Sequence, residues 1–511
     1  VAAMDVMQAL WQGLVLACTV QNLAWALAGC VLGTVMGVLP GFGASAAMAL
    51  LLPMTFHVDV TQAFIFFIAV ACGGMYGGST TSILFNAPGE TASMVTAMEG
   101  KRMALNGRAG VALATAAVGS LVAGTLAALF VVWAAPWVAG IASKLGPAEI
   151  FMLMVMALGA VSAAIGKSTL RGVTALCAGI ALACIGHETV GGTERLTGGL
   201  PLLYDGIDMV LVAVGLLVVA EVLHAAMFEG RVRYTLNTVG RVRMSREDWK
   251  RSWRPWLRGT AIGLPFGCVP LGGVDMPTYV SYASERYMAS EPRRREFGRE
   301  GAIEGVAGPE AANNATVTAA LIPLLVMGIP TSNATAVMLG AFQNYGMQPG
   351  PQWFSNGYWL VWVLMGSLFI SNLMLWVLNM PLVRMWTPLL RIPRPHLHAA
   401  MLVLATAGVY GMRQSVGDLC LLYGLGLLGV AMRRFDFPVT PLVIGVALGP
   451  LAEVQLRQAL AVGHGSWAIF VQRPLALVLL IVVVVLIAAP ALLKGWARRR
   501  MAQARGQKRN V

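Results

Sequence analysis

The chain of 511 residues is 57% hydrophobic and only 12% charged, with a formal net charge of +13. Soluble domains carry about 25% charged residues, so an ordinary water-soluble enzyme or binding domain is excluded. An all-α polytopic membrane protein is expected, and the mean hydropathy of +0.71 agrees. The positive charge lies outside the apolar runs. Arg231, Arg233, Arg241, Arg243, Arg246, Lys250, Arg251, Arg254 and Arg258 stand close together, and the tail from Lys494 carries Arg498, Arg499, Arg500, Arg505, Lys508 and Arg509 without an acid. Such clusters mark cytoplasmic segments in contact with membrane lipid headgroups, and no nucleic acid is needed to account for them. The seven cysteines form no C-x-x-C pair and sit in apolar runs, as small core residues do.

In chain order, the start as far as Gln12 carries Asp5 and no base, and nothing in it resembles a cleavable signal peptide. The N-terminus is therefore placed outside and the C-terminus inside. Residues 6–58 contain no Asp, Glu, Lys or Arg. One crossing takes about 20 residues, so this run is too long for one helix and too short for three. The cluster GVLPGFG at 37–43 divides it into a helix ending near Met36 and a half-helix running from about Ala44 to Pro53. After Asp59 a second apolar piece is expected to break at the glycines of 73–78. A short helix would then reach Phe85, with a turn at Asn86-Ala-Pro-Gly and a half-helix opened by Glu90. Irregular backbone survives in hydrocarbon only where protein or a wet cavity surrounds it. A broken stretch bearing Ser79, Thr80, Thr81 and Ser82 therefore reads as the lining of a binding cavity.

The polar segment 99–108 reads as a loop, and 109–143 as a long helix with Trp133 and Trp137 at the interface. Helices are expected near 149–165, 172–186 and 209–228, the last carrying Glu221. Beyond the basic loop, GLPFGCVPLGGVDMPTYVSYASER repeats the opening design. Apolar runs at 354–383, 397–412, 419–432, 441–451 and 474–493 bring the total to about twelve membrane segments, broken and re-entrant helices included.

The two broken regions resemble each other. GVLPGFG parallels GLPFGCVPLGG, and NAPGETASMVTAMEG at 86–100 parallels GIPTSNATAVMLGAF at 328–342, aligned on Pro88 and Pro330. Gly/Pro-interrupted segments at matching places in two halves point to the substrate site of a secondary transporter. This predicts a two-fold internal repeat, inverted in topology. Residues 1–230 form the first half with site elements at 37–91, and 231–258 a basic cytoplasmic loop. Residues 259–493 form the second half with site elements at 263–333, and 494–511 a basic cytoplasmic tail.

Half-helix N-termini carry unpartnered N–H groups and roughly half a positive charge. Two of them facing one cavity would hold an anionic carboxylate without a buried arginine. Ser45, Ser79, Thr80, Thr91, Thr331, Ser332 and Asn333 would add hydrogen bonds. Asn86, Asn313 and Asn314, with carbonyls freed at the breaks, are candidate ligands for Na⁺. Two readings stand for Asp275, a helix-start residue or a cation ligand. Two also stand for Glu221, Glu310 and Glu453, each a functional carboxylate in the membrane, or a residue placed at the interface or beside an arginine. Glu90 is either a favourable charge at a helix start or a gate or coupling residue. The six histidines are scattered, and no metal centre is implied. With no nucleophile elbow, Walker loop, H-E-x-x-H or DNA-binding signature, the chain reads as no enzyme. Its driving force is then an ion gradient, and no organic cofactor is called for.

GVLPGFG (37–43), GGMYGGSTTSILFNAPGE (73–90), AMEGKRMA (97–104), GPEAANNA (308–315), IPLLVMGIPTSNATAVMLGA (322–341), PGP (349–351) and PLVIGVALGPLAE (441–453) resemble the large membrane subunit, TctA, of the tripartite tricarboxylate transporter family. ERLTGG (194–199) matches a looser element. Asp275, in CVPLGGVDM, and the 99–101 sequence Glu-Gly-Lys depart from the family's usual residues. The resemblance implies cation-driven uptake of di- or tricarboxylates across the bacterial inner membrane, with Na⁺ or H⁺ as coupling ion. It implies two partners, a small TctB-like membrane subunit and a TctC-like periplasmic solute-binding protein. Carried onto the matching positions, it assigns Gly41, Gly43, Ser45, Gly78, Ser79, Thr80, Pro88, Gly89, Thr91, Thr331, Ser332 and Asn333 to the substrate. It assigns Asn86, Asn313, Asn314, Thr316 and Gly328 to the cation. Elevator-type motion is expected by analogy. A binding-protein-independent carrier and an anion channel are the alternatives.

Overall fold

Uncharged runs of Ala, Leu, Val, Ile and Gly fold as helices in hydrocarbon because only there does each backbone group find a partner within its own segment. A computed structural model describes residues 3–485 apart from 40, 87–88, 165–167, 189–191, 229–239, 270–272, 356–358, 387 and 390–391. Pro40, Pro88, Arg231, Arg233 and the basic tail thus lie outside the described residues. Most of those described are helical. The strands among the described residues form a two-stranded antiparallel hairpin, Gly186–His187 with Glu194–Arg195. Among the described residues eight helices are long and apolar enough to cross a membrane, and five shorter apolar helices accompany them. The chain is a multi-pass membrane protein.

The first part comprises α1 (Ala3–Ala17), α2 (Val20–Val38), α3 (Ala44–Leu51), α4 (Val60–Phe85), α5 (Ser93–Met103) and α6 (Ala109–Ala142). Next come α7 (Pro147–Ala164), α8 (Thr169–Ala183) and α9 (Met209–Phe228). The second part comprises α10 (Arg246–Cys268), α11 (Asp275–Met288), α12 (Glu304–Ala319), α13 (Leu321–Met327), α14 (Asn333–Asn344) and α15 (Trp359–Asn379). Then follow α16 (Arg394–Arg413), α17 (Val416–Arg434), α18 (Val439–Val462) and an apolar helix over Pro474–Val485.

The expected break at 73–78 is corrected. α4 is one unbroken helix of 26 residues. Its glycines are contact surfaces. A methyl on Gly73 would lie 2.9 Å from the Cys30 carbonyl oxygen, on Gly74 2.6 Å from Ala44 Cβ, on Gly77 2.5 Å from the Thr34 carbonyl oxygen, and on Gly78 3.2 Å from Ser93 Oγ. Small residues let helix backbones close up in a membrane, and α4 uses them to take α2, α3 and α5 at once. The break at 39–43 is present. Thr81 Oγ1 lies 3.2 and 3.1 Å from the Gly37 and Val38 carbonyl oxygens, within reach to donate to the broken end of α2.

Two helix pairs share one packing design. Gly29, Gly33 and Gly37 of α2 meet the carbonyls of Phe66, Val70 and Gly74 on α4 in the same order, so the helices run parallel. Gly259, Gly263 and Gly267 of α10 meet the carbonyls of Gly308, Ala312 and Thr316 on α12 in the same way. α4 closes on a left-handed residue, Asn86 (φ 57°), and α13 on another, Gly328 (φ 65°). Such caps turn the chain out of a helix while satisfying its last carbonyls. Between the pairs, α4 and α12 cross in opposite directions. Met75 meets Asn313, and one turn on Ser79 meets Glu310.

The later part of the basic segment is itself helical. Ser245 and Asp248 form a reciprocal cap that starts α10 at Arg246. Arg251 bonds Glu296 at 2.6 Å and Glu304 at 2.8 Å, Arg258 pairs with Glu285, and Arg108 reaches Asp248 at 2.6 Å. These pairs hold the charged ends of α10, α11 and α12 together.

Candidate functional site

The first break, the 89–91 turn, the start of α11 and the 331–333 turn come together around one cavity of about 290 Å³. Gly41, Gly43, Ser45, Gly89, Thr91, Thr331, Ser332 and Asn333 all line it. Residues at three helix N-termini, those of α3, α11 and α14, line this space.

Their amide ends are not bare. The Ala44 N–H, first of α3, donates to the Glu90 carboxylate. Gly43 must be glycine for this, since a methyl there would lie 2.6 Å from Glu90 Oε1. Gly41 has φ +88°, a backbone state that favours glycine, and a methyl on it would approach Glu221 Oε1 at 3.3 Å. At α14, Ser332 and Thr335 cap each other, with the Ser332 N–H donating to Thr335 Oγ1 at 2.9 Å. Asn333 Nδ2 donates to Thr440 Oγ1 at 3.0 Å, while its Oδ1 is buried without a partner. At α11, Asp275 Oδ1 accepts from Thr91 Oγ1 at 2.6 Å, tying the second region to the first.

The expectation of an arginine-free cavity is corrected. Arg433, at the end of α17, lines it and pairs with Glu221 of α9. Glu90, Glu221 and Asp275 place three carboxyl groups in the wall of the same cavity. Arg433 belongs to no motif; its signal in the sequence was only a base closing an apolar run. Glu221 thus has an arginine partner, and so has Glu453, which Arg195 holds through two bonds of 2.9 and 3.0 Å.

The remaining expected site residues lie elsewhere. Gly78 is buried in α4 against Ser93, and Pro88 is outside the described residues. Ser79 and Thr80 line a separate, very small cavity beside Glu310. The expected cation ligands do not form one shell. Asn86 and Gly328 are the two left-handed caps. Thr316 Oγ1 donates to the Ala312 carbonyl at 2.7 Å, inside its own helix. Asn313 Nδ2 faces Met75 Sδ at 3.5 Å, and Asn314 Nδ2 bonds Ser120 Oγ at 2.9 Å. Gly328 lines a second cavity of about 310 Å³, with Gln343, Gln348, Gln352 and Gln455 among its walls.

Interrupted helices of the membrane part thus ring a cavity whose wall holds one guanidinium and three carboxyl groups. The tripartite tricarboxylate transporter TctA family model matches residues 23–444, and the chain belongs to that family, a transporter family and not an enzyme family. The chain is similar to an uncharacterised 52.8 kDa protein in the TAR-I ttuC' 3' region of Agrobacterium vitis, 40% identical over 94% of this chain and 95% of the relative. It is also similar to an uncharacterised protein in the TAR-II ttuC' 3' region of the same organism, 38% identical over 43% of this chain and 89% of the relative. No solved structure matches the chain.

Proposed function

We propose that the chain is the carrier subunit of a cation-driven carboxylate importer in the bacterial inner membrane, its N-terminus periplasmic and its C-terminus cytoplasmic. A periplasmic binding protein delivers a di- or tricarboxylate, and a small membrane subunit completes the complex. The observation that carries this reading is the meeting of both interrupted regions at one cavity with Arg433 in its wall. Three carboxyl groups beside one guanidinium make the cavity a poor host for a bare anion. A carboxylate then enters with cations or protons, and such co-binding is what coupling to an ion gradient requires.

An inverted two-fold repeat is part of the same reading. One offset relates Phe66 to Gly308, Val70 to Ala312, Gly74 to Thr316 and Asn86 to Gly328, so the glycine stripes and the caps correspond. The opposite directions of α4 and α12 are those an inverted repeat gives its central helices.

Proteoliposomes holding the complete complex should take up labelled di- and tricarboxylates only under an inward Na⁺ or H⁺ gradient. Uptake persisting after both gradients are collapsed would make the protein a channel. Uptake by this chain alone would remove the binding protein from the reading. A charge-assisted hydrogen bond contributes about 1.5–3 kcal/mol, and about 1.4 kcal/mol is tenfold in affinity. Arg433→Ala is therefore expected to raise the KM for carboxylate by at least about tenfold.

A further inference from the structure

Glu310 sits on α12 with 0% exposure, in the middle of the helix bundle. Its neighbours are neutral. Ser79 Oγ donates to Oε1 at 2.6 Å, Ser120 Oγ at 3.0 Å and Asn314 Nδ2 at 3.3 Å, while Thr96 Oγ1 donates to Oε2 at 3.1 Å. No Arg, Lys or His among the described residues pairs with it, in contrast to Glu221, Glu285 and Glu453. A carboxylate withdrawn from water without a countercharge is not tolerated; it takes up a proton or a cation.

Beside it is a cavity of about 10 Å³, lined by Tyr76, Ser79, Thr80, Ser120, Glu310 and Asn379. That is room for one particle the size of a water molecule. The walls supply oxygen. Asn379 adds an independent pointer. Its Nδ2 donates to the Leu375 carbonyl at 3.0 Å, which fixes the amide's orientation, and its Oδ1 is left buried with no donor. Asn379 is 3% exposed, so solvent does not supply one. An orphaned acceptor and an uncompensated carboxylate around one water-sized space call for a positive guest. One carboxylate balances a single positive charge; a divalent ion would leave a surplus charge in a dry place.

We propose that Glu310, Asn379 and the hydroxyls of Ser79, Thr80 and Ser120 form a monovalent-cation site, filled by Na⁺ or by a proton. The site draws on α4 and α6 from the first part of the chain and on α12 and α15 from the second. It lies about one helical turn from the carboxylate cavity, since Met75 lines that cavity and Ser79 lines this one. It rests on the cation-coupled reading above and replaces the scattered ligand set with a single place for the ion.

The test uses the purified full-length protein in nanodiscs, without carboxylate. The wild type should gain thermal stability saturably with NaCl, against choline chloride at equal ionic strength, and should bind radiolabelled sodium. Glu310→Gln keeps the shape and removes the charge. It should raise the apparent Kd for sodium by at least about tenfold, a loss that even an outer partner of a bound metal can produce, while its Tm in choline stays equal or rises. Asn379→Ala should weaken sodium binding in the same direction and serves if Glu310→Gln does not express. Should the guest be a proton, stability follows pH and ignores sodium, and an infrared carboxyl band that titrates in the wild type is missing from Glu310→Gln. A sodium and pH response identical in wild type and both variants would overturn the site, as would a wild type that responds to neither. Because no carboxylate is present, sodium binding without any carboxylate uptake in proteoliposomes would sink the importer reading and leave this site standing.

Discussion

At the scale of single residues, Glu90 decides how the first interruption works. The sequence placed a carboxylate near a helix start but offered two roles for it, a favourable charge on its own helix or a gate or coupling residue. The structure gives it to a different helix, α3, across the turn. Nothing local in the sequence encodes that contact, because it joins residues 46 apart. Loss of a helix-capping side chain costs about 1 kcal/mol. Glu90→Ala is expected to lower unfolding stability by about that amount, and Glu90→Gln, which keeps an acceptor oxygen, by less. Gly43→Ala should resemble Glu90→Ala, because the added methyl displaces the carboxyl group from Ala44. Chemical denaturation of the three variants in one detergent checks the order, and a fully stable Gly43→Ala would contradict it.

At the scale of elements, the sequence was legible where proline and glycine act together and misleading where glycine acts alone. The breaks at 39–43 and 328–332 combine proline with glycine, the second adding Thr331 and Ser332, and both are non-helical in the described residues. The glycines of α4 looked the same by composition, yet they lie inside a helix. A glycine can break a helix or admit a neighbour, and the choice depends on what packs there. The glycine stripes make a firm prediction. A methyl on Gly33 would lie 2.5 Å from the Val70 carbonyl oxygen, and one on Gly263 2.4 Å from that of Ala312. Backbone cannot step aside as a side chain tip can, and overpacking costs typically about 1–3 kcal/mol. Gly33→Ala and Gly263→Ala should each lower Tm. Gly140→Ala, with nothing within 4 Å, should leave it unchanged or raise it. Equal Tm values for all three would remove the stripes from the account of stability.

At the scale of the whole molecule, the cavity beside Arg433 and the cavity beside Glu310 hang on the same two crossing helices, α4 and α12. Met75 and Val317 reach the first, Ser79 and Glu310 the second. We expect these helices to travel as one unit. A disulfide between Met75→Cys and Asn313→Cys, whose native side chains touch at 3.5 Å, made in a background without the seven native cysteines, should preserve uptake. Abolished uptake that returns on reduction would mean that the helices slide past each other during transport. The pairing of two interrupted regions could be read from the alignment of Pro88 with Pro330. The charged wall formed by Glu221 and Arg433 could not, because its members come from distant helices outside either motif.

The bond between Glu90 and Ala44 bears on the return stroke. A carrier that has unloaded must reset, and an exposed row of amide hydrogens would make that journey costly in a greasy medium. Here the chain brings along its own tethered carboxyl group to occupy the amide end. We expect an arriving solute to displace that resident before it can be gripped.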